Sequence, residues 1–351
     1  MSPDVGDRRP GSVRGTAPGP DDRDAPRHVS TGTLPDPDRV GRLLADAHAR
    51  FGTLDDGTVS TVYPALATAR PELFGLAVAA VTGRVLTVGD AGVPFTMMSV
   101  AKPFVFALAC AAVGVEQARR RTGVNATGLP FDSFAAIERS PDGRTNPMVN
   151  AGALVTCALL PGRSLEQRWE HLRAGLSRFA GRELALDADV HRCVARTNHR
   201  NRGLARLLRA VGTVTEDPDE LVELYTRQSC LAVTATDLAL MGATLADAGV
   251  QPATGERVVD PGVCRAVLVV MTTAGLYETS GDWLYDIGLP GKSGIGGGIV
   301  AVAPGKGALG TFSPPLDTAG NSVRGQRAAA YLSRALGLDL FASAPAPVVA
   351  P

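Results

Sequence analysis

Ser99 and Lys102 stand three residues apart in Phe95-Thr-Met-Met-Ser-Val-Ala-Lys102, at the mouth of an apolar run from Pro103 to Val115. The run reads as a buried helix, on which positions i and i+3 share one face. Apolar surroundings favour the neutral amine of a lysine, and such an amine can take the proton from a serine hydroxyl and leave a nucleophile. The competing reading is a helix N-cap serine followed by a surface lysine. A second grouping, Gly291-Lys292-Ser293, invites a phosphate-loop reading. That loop needs a glycine where this chain has Asp286, and a helix directly after Lys-Ser. Gly294 to Gly298 follow instead, which suits a strand approached closely by another group.

The chain that must position these residues has 351 of them, enough for one large domain or two smaller ones. Thirty-five Lys and Arg balance 35 Asp and Glu, so no net field draws in nucleic acid or an anionic membrane. Cys110, Cys157, Cys193, Cys230 and Cys264 are widely spaced and mostly inside apolar runs. They read as small buried hydrophobes in a reducing compartment, not as a disulfide frame. No Cys/His pair has zinc-site spacing, so neither metal nor cofactor is expected. The charged, proline-rich N-terminus lacks the apolar core of a signal peptide. The longest apolar stretch, around Phe104 to Val115, is shorter than the ~20 residues a spanning helix needs. These features predict a cytoplasmic protein acting on a small molecule, without nucleic-acid or membrane partners.

Residues 1–38 carry seven prolines and almost no large apolar side chains, and read as a disordered leader. A helix is expected from Asp38, with Val40, Leu43, Leu44 and Ala47 on one face and Gly52 closing it. Leu73 to Val81 and Val85 to Val88 read as two strands around Thr82-Gly83-Arg84. Residues 120–220 look mostly helical, with the polar interruption Asn146-Pro-Met-Val-Asn-Ala-Gly-Ala153. Leu221 to Tyr225 and Thr236 to Gly249 continue as helices. Ile287 to Pro304 is glycine-rich and runs into alternating apolar residues that pair with Leu309 to Ser313. A last helix spans about Val323 to Leu336, before a loose tail over residues 341–351. The expected class is α/β of the α+β kind: one antiparallel sheet, built from both ends of the chain and carrying the terminal helices, plus a helical lobe. Within a catalytic domain at 39–340, the sheet lobe takes about 39–95 and 285–340 and the helical lobe about 96–284. A cleft between them is the natural ligand site.

Ser-x-x-Lys on a helix followed by Lys-Ser-Gly on a strand is the order found in β-lactamases and penicillin-binding proteins. Asn146 to Ala153, Leu276-Tyr277, Gly288-Leu-Pro-Gly-Lys-Ser-Gly-Ile-Gly-Gly-Gly-Ile299, Ser313-Pro-Pro-Leu-Asp317 and Gly320-Asn-Ser-Val-Arg-Gly325 together resemble the successive blocks of the serine-dependent glutaminases, over roughly residues 40–340. The resemblance implies a β-lactamase/transpeptidase-like fold, hydrolysis of L-glutamine to L-glutamate and ammonia, and a homodimer or homotetramer. It makes Ser99 the nucleophile and Lys102 its base, and puts Asn150, Asn201, Tyr225 and Tyr277 around the substrate. Lys292, Ser293 and Gly294 would form one cleft wall, and Ile295, where the family usually has valine, would offer its backbone N–H. The chemistry is consistent with these roles. Amide hydrolysis passes through an oxyanion, for which the N–H groups of Ser99 and Ile295 are candidate donors. Tyr277 and Tyr225 suit proton transfer to the leaving ammonia, and the two asparagines suit an amino-acid headgroup. Taken singly, either tyrosine would be a packing residue and Asn201 a helix cap.

Two positions depart from the family. Seven residues before the asparagine matched by Asn201 the family has a Ser-Glu pair, whose glutamate contacts the substrate ammonium; here Cys193 and Val194 stand there. Glu183, Asp187 and Asp189 precede Val194, but none lies within one turn on its face. The family's Tyr-Ile-Pro is Val62-Tyr63-Pro64, which would turn the tyrosine away from the cleft unless the segment shifts register. Loss of one charge-assisted hydrogen bond weakens the hold on free glutamine by about 10- to 150-fold. Two further readings therefore stand beside the glutaminase. One is a serine amidase or esterase whose substrate lacks a free α-ammonium; the other is a catalytically weak binding or regulatory homologue.

Overall fold

The computed structural model describes residues 32–140 and 142–343. The expected leader up to residue 31, and the expected tail from residue 344, lie outside the described residues. Helix α1 (Pro37–Phe51) begins one residue earlier than its apolar spacing predicts, because Asp36 caps it by accepting from the N–H groups of Asp38 and Arg39. Strands β1 (Gly75–Ala80) and β2 (Val85–Gly89) follow as a hairpin. A single 3-10 turn, Met98–Ala101, then runs directly into α2 (Lys102–Val113). The helical part continues through α3 (Asn150–Ala158), α4 (Ala188–Thr197), α5 (His199–Ala210), α6 (Pro218–Ser229), α7 (Ala235–Ala246) and α8 (Pro261–Ala274), with shorter helices between. Strands β3 (Gly291–Ser293), β4 (Gly298–Ala303) and β5 (Gly307–Phe312) return to the sheet, and α9 (Val323–Ala335) closes it.

The five strands form one antiparallel sheet in the order β2-β1-β5-β4-β3, so the two ends of the chain meet at the β1–β5 pair. Side chains alternate across it. Leu76, Val78, Ile299, Ala301 and Leu309 pack with Val40 and Leu44 of α1 and Ala328 and Leu332 of α9. Ala77, Ala79, Val300, Val302 and Ala308 share the other core with α7. Both faces are covered, which is the mixed α/β architecture with terminal helices on an antiparallel sheet that the sequence predicts. Helix α2 is buried at every residue from Lys102 to Cys110. A helix apolar on all sides belongs inside a core, and α2 packs there against α3, α8 and the helix Leu165–Ala180. Helix α7 ends at Ala246, short of Gly249, because the chain turns at Ala248 (φ 51°) and the Gly249 N–H closes back on Thr244 O at 2.9 Å. Among the described residues no helix is long and apolar enough to cross a membrane.

Candidate active site

Ser99 lies on the 3-10 turn and Lys102 is the first residue of α2. In a 3-10 turn residues i and i+3 eclipse one another, so the turn stacks these two more directly than an α-helix would. Met98, immediately before the serine, has φ 47°, a left-handed conformation that a non-glycine residue adopts only where its surroundings impose it. Those surroundings are the short antiparallel pairing of Phe95–Thr96 with Ala232–Val233 and the bond from the Met97 N–H to Leu231 O at 2.9 Å. The Lys102 side chain is 1 % exposed. Burial pushes its amine down to about 7, with a smaller opposing pull from Asp132 and Cys157.

Lys102 Nζ donates to Asn150 Oδ1 at 2.7 Å, and the Tyr225 hydroxyl donates to the same oxygen at 3.1 Å. The amide is held in that orientation by a one-way chain. Asn150 Nδ2 donates to Asn201 Oδ1 (2.9 Å), Asn201 Nδ2 to Asn198 Oδ1 (2.6 Å), Asn198 Nδ2 to Thr226 Oγ1 (2.8 Å), and Thr226 Oγ1 to Val222 O (2.7 Å). Asn201 is thus an internal link, 4 % exposed within α5, and not a helix cap. A buried chain in which every amide has one possible orientation is rigid, because any flip leaves polar atoms unpaired.

Tyr277 approaches from the other side, on a 3-10 turn (Tyr277–Thr279) entered at φ 56°. Phe131 packs against its ring at 4.7 Å, and Lys292 Nζ lies 4.2 Å from the ring centre. Lys292 is wholly buried, donates to Gly275 O (2.7 Å) and Ser293 O (2.6 Å), and is pushed well below the ordinary lysine range by burial and by the neighbouring charge of Lys102. The hydroxyl of Ser293 is buried and unpartnered among the described residues. Burial raises both phenols, Tyr277 to about 12, and hydrogen bonding with the Ser99 side chain partly offsets this in each. The Ser99 hydroxyl therefore sits between two protonated phenols.

The loop after β3 presses on the serine turn. A Cβ at Gly296 would stand only 2.5 Å from Thr96 O, so the approach needs glycine there, and one at Gly294 would be tight at 3.1 Å from Met97 O. Ile295 lies between them, and its N–H has no hydrogen-bond partner among the described residues. Ser99 opens a helical turn, where leading N–H groups also have no partner within the helix.

Ser99, Asn150, Asn201, Tyr225, Ile295 and Val194 line one cavity of about 180 Å³. Lys102, Tyr277, Lys292, Ser293 and Gly294 do not line it: Lys102 touches its wall through Asn150 and Tyr277 through Ser99, while Lys292, Ser293 and Gly294, expected as a cleft wall, stand behind. Val194, 2 % exposed, belongs to an apolar cluster with Leu66, Met98 and Cys230, against which Ile295 and Tyr63 pack. The structure corrects the expectation for Tyr63. Tyr63 is not turned away but lines the cavity, its phenol pushed up to about 12 by burial, and Val62, 60 % exposed, lines it at the rim. The sequence reading also missed Asp132 and Arg200, which line the same cavity and pair at 2.5 Å. Its only signal for them was two single charges, Arg200 next to the matched Asn201 and Asp132 away from any matched block. A larger cavity, about 500 Å³, lies between α1 and the β1–β2 hairpin around Val40, Val78, Leu86 and Lys306, and contains no nucleophile with a base. Among the described residues no three His, Cys, Asp or Glu side chains come together as metal ligands would.

The family model for glutaminase matches residues 57–341. "Glutaminase 2" of Yersinia pestis is 58 % identical over 318 residues, covering 91 % of this chain and 94 % of the relative. A glutaminase of Brucella abortus (strain S19) is 46 % identical over 304 residues, covering 87 % and 96 %. Among solved structures, that of the probable glutaminase ybaS superposes with a TM-score of 0.86 at 38 % identity, covering 88 % of this chain and all of that one. Mglu in its tris and glutamate form gives 0.83 at 38 % identity, covering 87 % and 68 %. With the match running from before the serine turn to beyond α9, the chain belongs to the glutaminase family.

Proposed function

We propose that the cavity hydrolyses L-glutamine to L-glutamate and ammonia through an acyl-enzyme on Ser99. The observation that carries this is the Ser99 hydroxyl lying between two phenols, three residues before a lysine whose amine burial brings down to about 7, so that its neutral form is well populated at neutral pH. Ser99 Oγ attacks the side-chain amide carbon, and its proton passes to Lys102, directly or by way of Tyr225. The new C–O bond puts negative charge on the carbonyl oxygen, which the N–H groups of Ser99 and Ile295 receive; each such donor is worth about 2.7 to 4 kcal/mol. The C–N bond breaks as Tyr277 or Tyr225 hands a proton to the departing ammonia and is reprotonated from Lys102, which returns to the neutral amine. Water, losing a proton to the same base, then attacks the ester, releases L-glutamate and restores Ser99. Asn150 and Asn201 position the headgroup, Lys292 and Ser293 hold Tyr277, and no step calls on a metal or cofactor. Mglu has been solved in an L-glutamate binding form, which bears on the product class.

Purified protein should release ammonia from L-glutamine, and Ser99→Ala and Lys102→Ala should each lose about a thousandfold or more. Equal rates in all three would sink the assignment. One observation favours a second reading: the apolar wall at Val194 suits an amide without a free α-ammonium. The resemblance also carries a homodimeric or homotetrameric assembly and a cytoplasmic setting, to be checked by light scattering and by fractionation.

A further inference from the structure

A free amino acid brings two opposite charges into its binding site, and burying either without a partner is costly. The wall at Val194, with Leu66, Met98 and Cys230 behind it, offers neither charge a partner. The residues lining the cavity include one carboxylate, Asp132, and one cation, Arg200. They come from different segments of the chain and meet at its wall, where Arg200 Nε lies 2.5 Å from Asp132 Oδ2 and also donates to Asp132 O at 2.9 Å.

Their remaining atoms are available to a ligand. Asp132 Oδ1 accepts no hydrogen bond among the described residues, and neither terminal nitrogen of Arg200 donates one. The Asp132 backbone and the Arg200 guanidinium are braced from behind. Asp132 follows Phe131, whose carbonyl accepts from the Asn150 N–H at 2.8 Å, while the Arg200 guanidinium lies 5.1 Å from the ring centre of Phe134. The charge of Asp132 is felt by Lys102 and Tyr63, so its field extends through the cavity to the base beside Ser99.

We propose that Asp132 and Arg200 are the specificity-determining pair for a zwitterionic substrate, Asp132 holding the α-ammonium and Arg200 the α-carboxylate. This rests on the glutaminase reading and deepens it. The substrate class is the free α-amino acid, and the positive end is read from the Phe131-Asp132 loop instead of from the Val194 helix face. The Arg200 side chain is 54 % and that of Asp132 28 % exposed, so the pair stands at the rim of the cavity, and a charge-assisted hydrogen bond made there to a bound ligand corresponds to about a 10- to 100-fold change in affinity.

Kinetics with L-glutamine and with glutarate monoamide, which keeps the carboxylate and the amide but lacks the ammonium, test the assignment, alongside calorimetric binding of L-glutamate and of glutarate. Asp132→Asn should raise KM for L-glutamine and weaken L-glutamate by about 10- to 100-fold, with a much smaller effect on the two compounds without an ammonium. Asp132→Glu should recover part of the loss. Arg200→Gln should weaken all four compounds, since each presents a carboxylate. Equal losses for all compounds in Asp132→Asn, or a KM for L-glutamine moved less than threefold, would overturn the proposal. So would a wild-type preference for glutarate monoamide or N-acetyl-L-glutamine over L-glutamine. If wild-type protein binds L-glutamate in an Asp132-dependent way but releases no ammonia, the glutaminase reading fails and the recognition pair stands.

Discussion

Among the described residues no carboxylate or imidazole hydrogen-bonds the Ser99 hydroxyl, and the groups around it owe their proton affinities to burial. Lys102 is brought down to about 7 and Tyr277 up to about 12 by the same cause, acting on groups of opposite charge type. The amine accepts a proton only in its neutral form. Below pH 7 that form falls tenfold per unit, so kcat/KM for L-glutamine should rise with unit slope up to about pH 7 and then level off until the phenols lose their protons. A pH–rate profile at low substrate checks this. A rising limb centred near pH 10, the range of an unburied lysine, would remove Lys102 as the base. The sequence displayed Ser99 and Lys102 plainly, because their spacing is local. It could not show that Met98 and Tyr277 are left-handed, since that conformation is imposed by strands and helices that meet only in the fold.

Among the elements, the 3-10 turn carrying Ser99 and the loop carrying Ile295 matter most, because each contributes one N–H and they come from distant parts of the chain. Their approach depends on Gly296, where an added Cβ would fall 2.5 Å from Thr96 O. Gly296→Val should therefore lift the loop and withdraw the Ile295 donor. The expected loss is about a hundred- to a thousandfold in kcat, the effect of removing one oxyanion donor. Thermal unfolding should move much less, because the loop lies outside both main cores. If kcat survives within threefold, Ile295 is not a donor. The elements themselves were legible in the sequence. Both hairpins, α1 and α9 follow from apolar periodicity, and the glycine run after β3 announced a close approach. Tyr63 was misread because moving one residue along an extended segment reverses a side chain, whereas Ala65 to Thr68 coil here into a short helix and the tyrosine turns inward. Asp132 and Arg200 escaped notice because a pair 68 residues apart leaves no periodic or local trace.

At the scale of the molecule, the sheet joins residues 75–89 to residues 291–312, and the helical part between them buries α2 with a lysine at its head, while a second buried lysine, Lys292, stands on β3. Burying two neutral lysines makes folding depend on pH in an unusual way. Between about 7 and the ordinary 10.5 the unfolded chain carries a proton on Lys102 that the native protein lacks. The unfolded state then binds more protons, so stability rises with pH, by about 1.4 kcal/mol per unit for that one group. Lys292, also lowered well below the ordinary lysine range by burial, acts with the same sign. Above about pH 9 the sign reverses. Cys110, Cys157, Cys230 and Cys264 ordinarily titrate at 9.0 but are pushed to about 12 by burial, so the native protein keeps protons that the unfolded chain releases. Urea unfolding from pH 6 to 10.5 should therefore show greatest stability between about pH 8 and 9, above the usual range of 5 to 8. Lys102→Met should be more stable than wild type at pH 7 and should flatten the rise, since Tyr225 still satisfies Asn150 Oδ1. A Lys102→Met variant that is less stable at pH 7 and keeps the same slope would show that the native lysine is charged, and a charged Lys102 cannot accept a proton from Ser99.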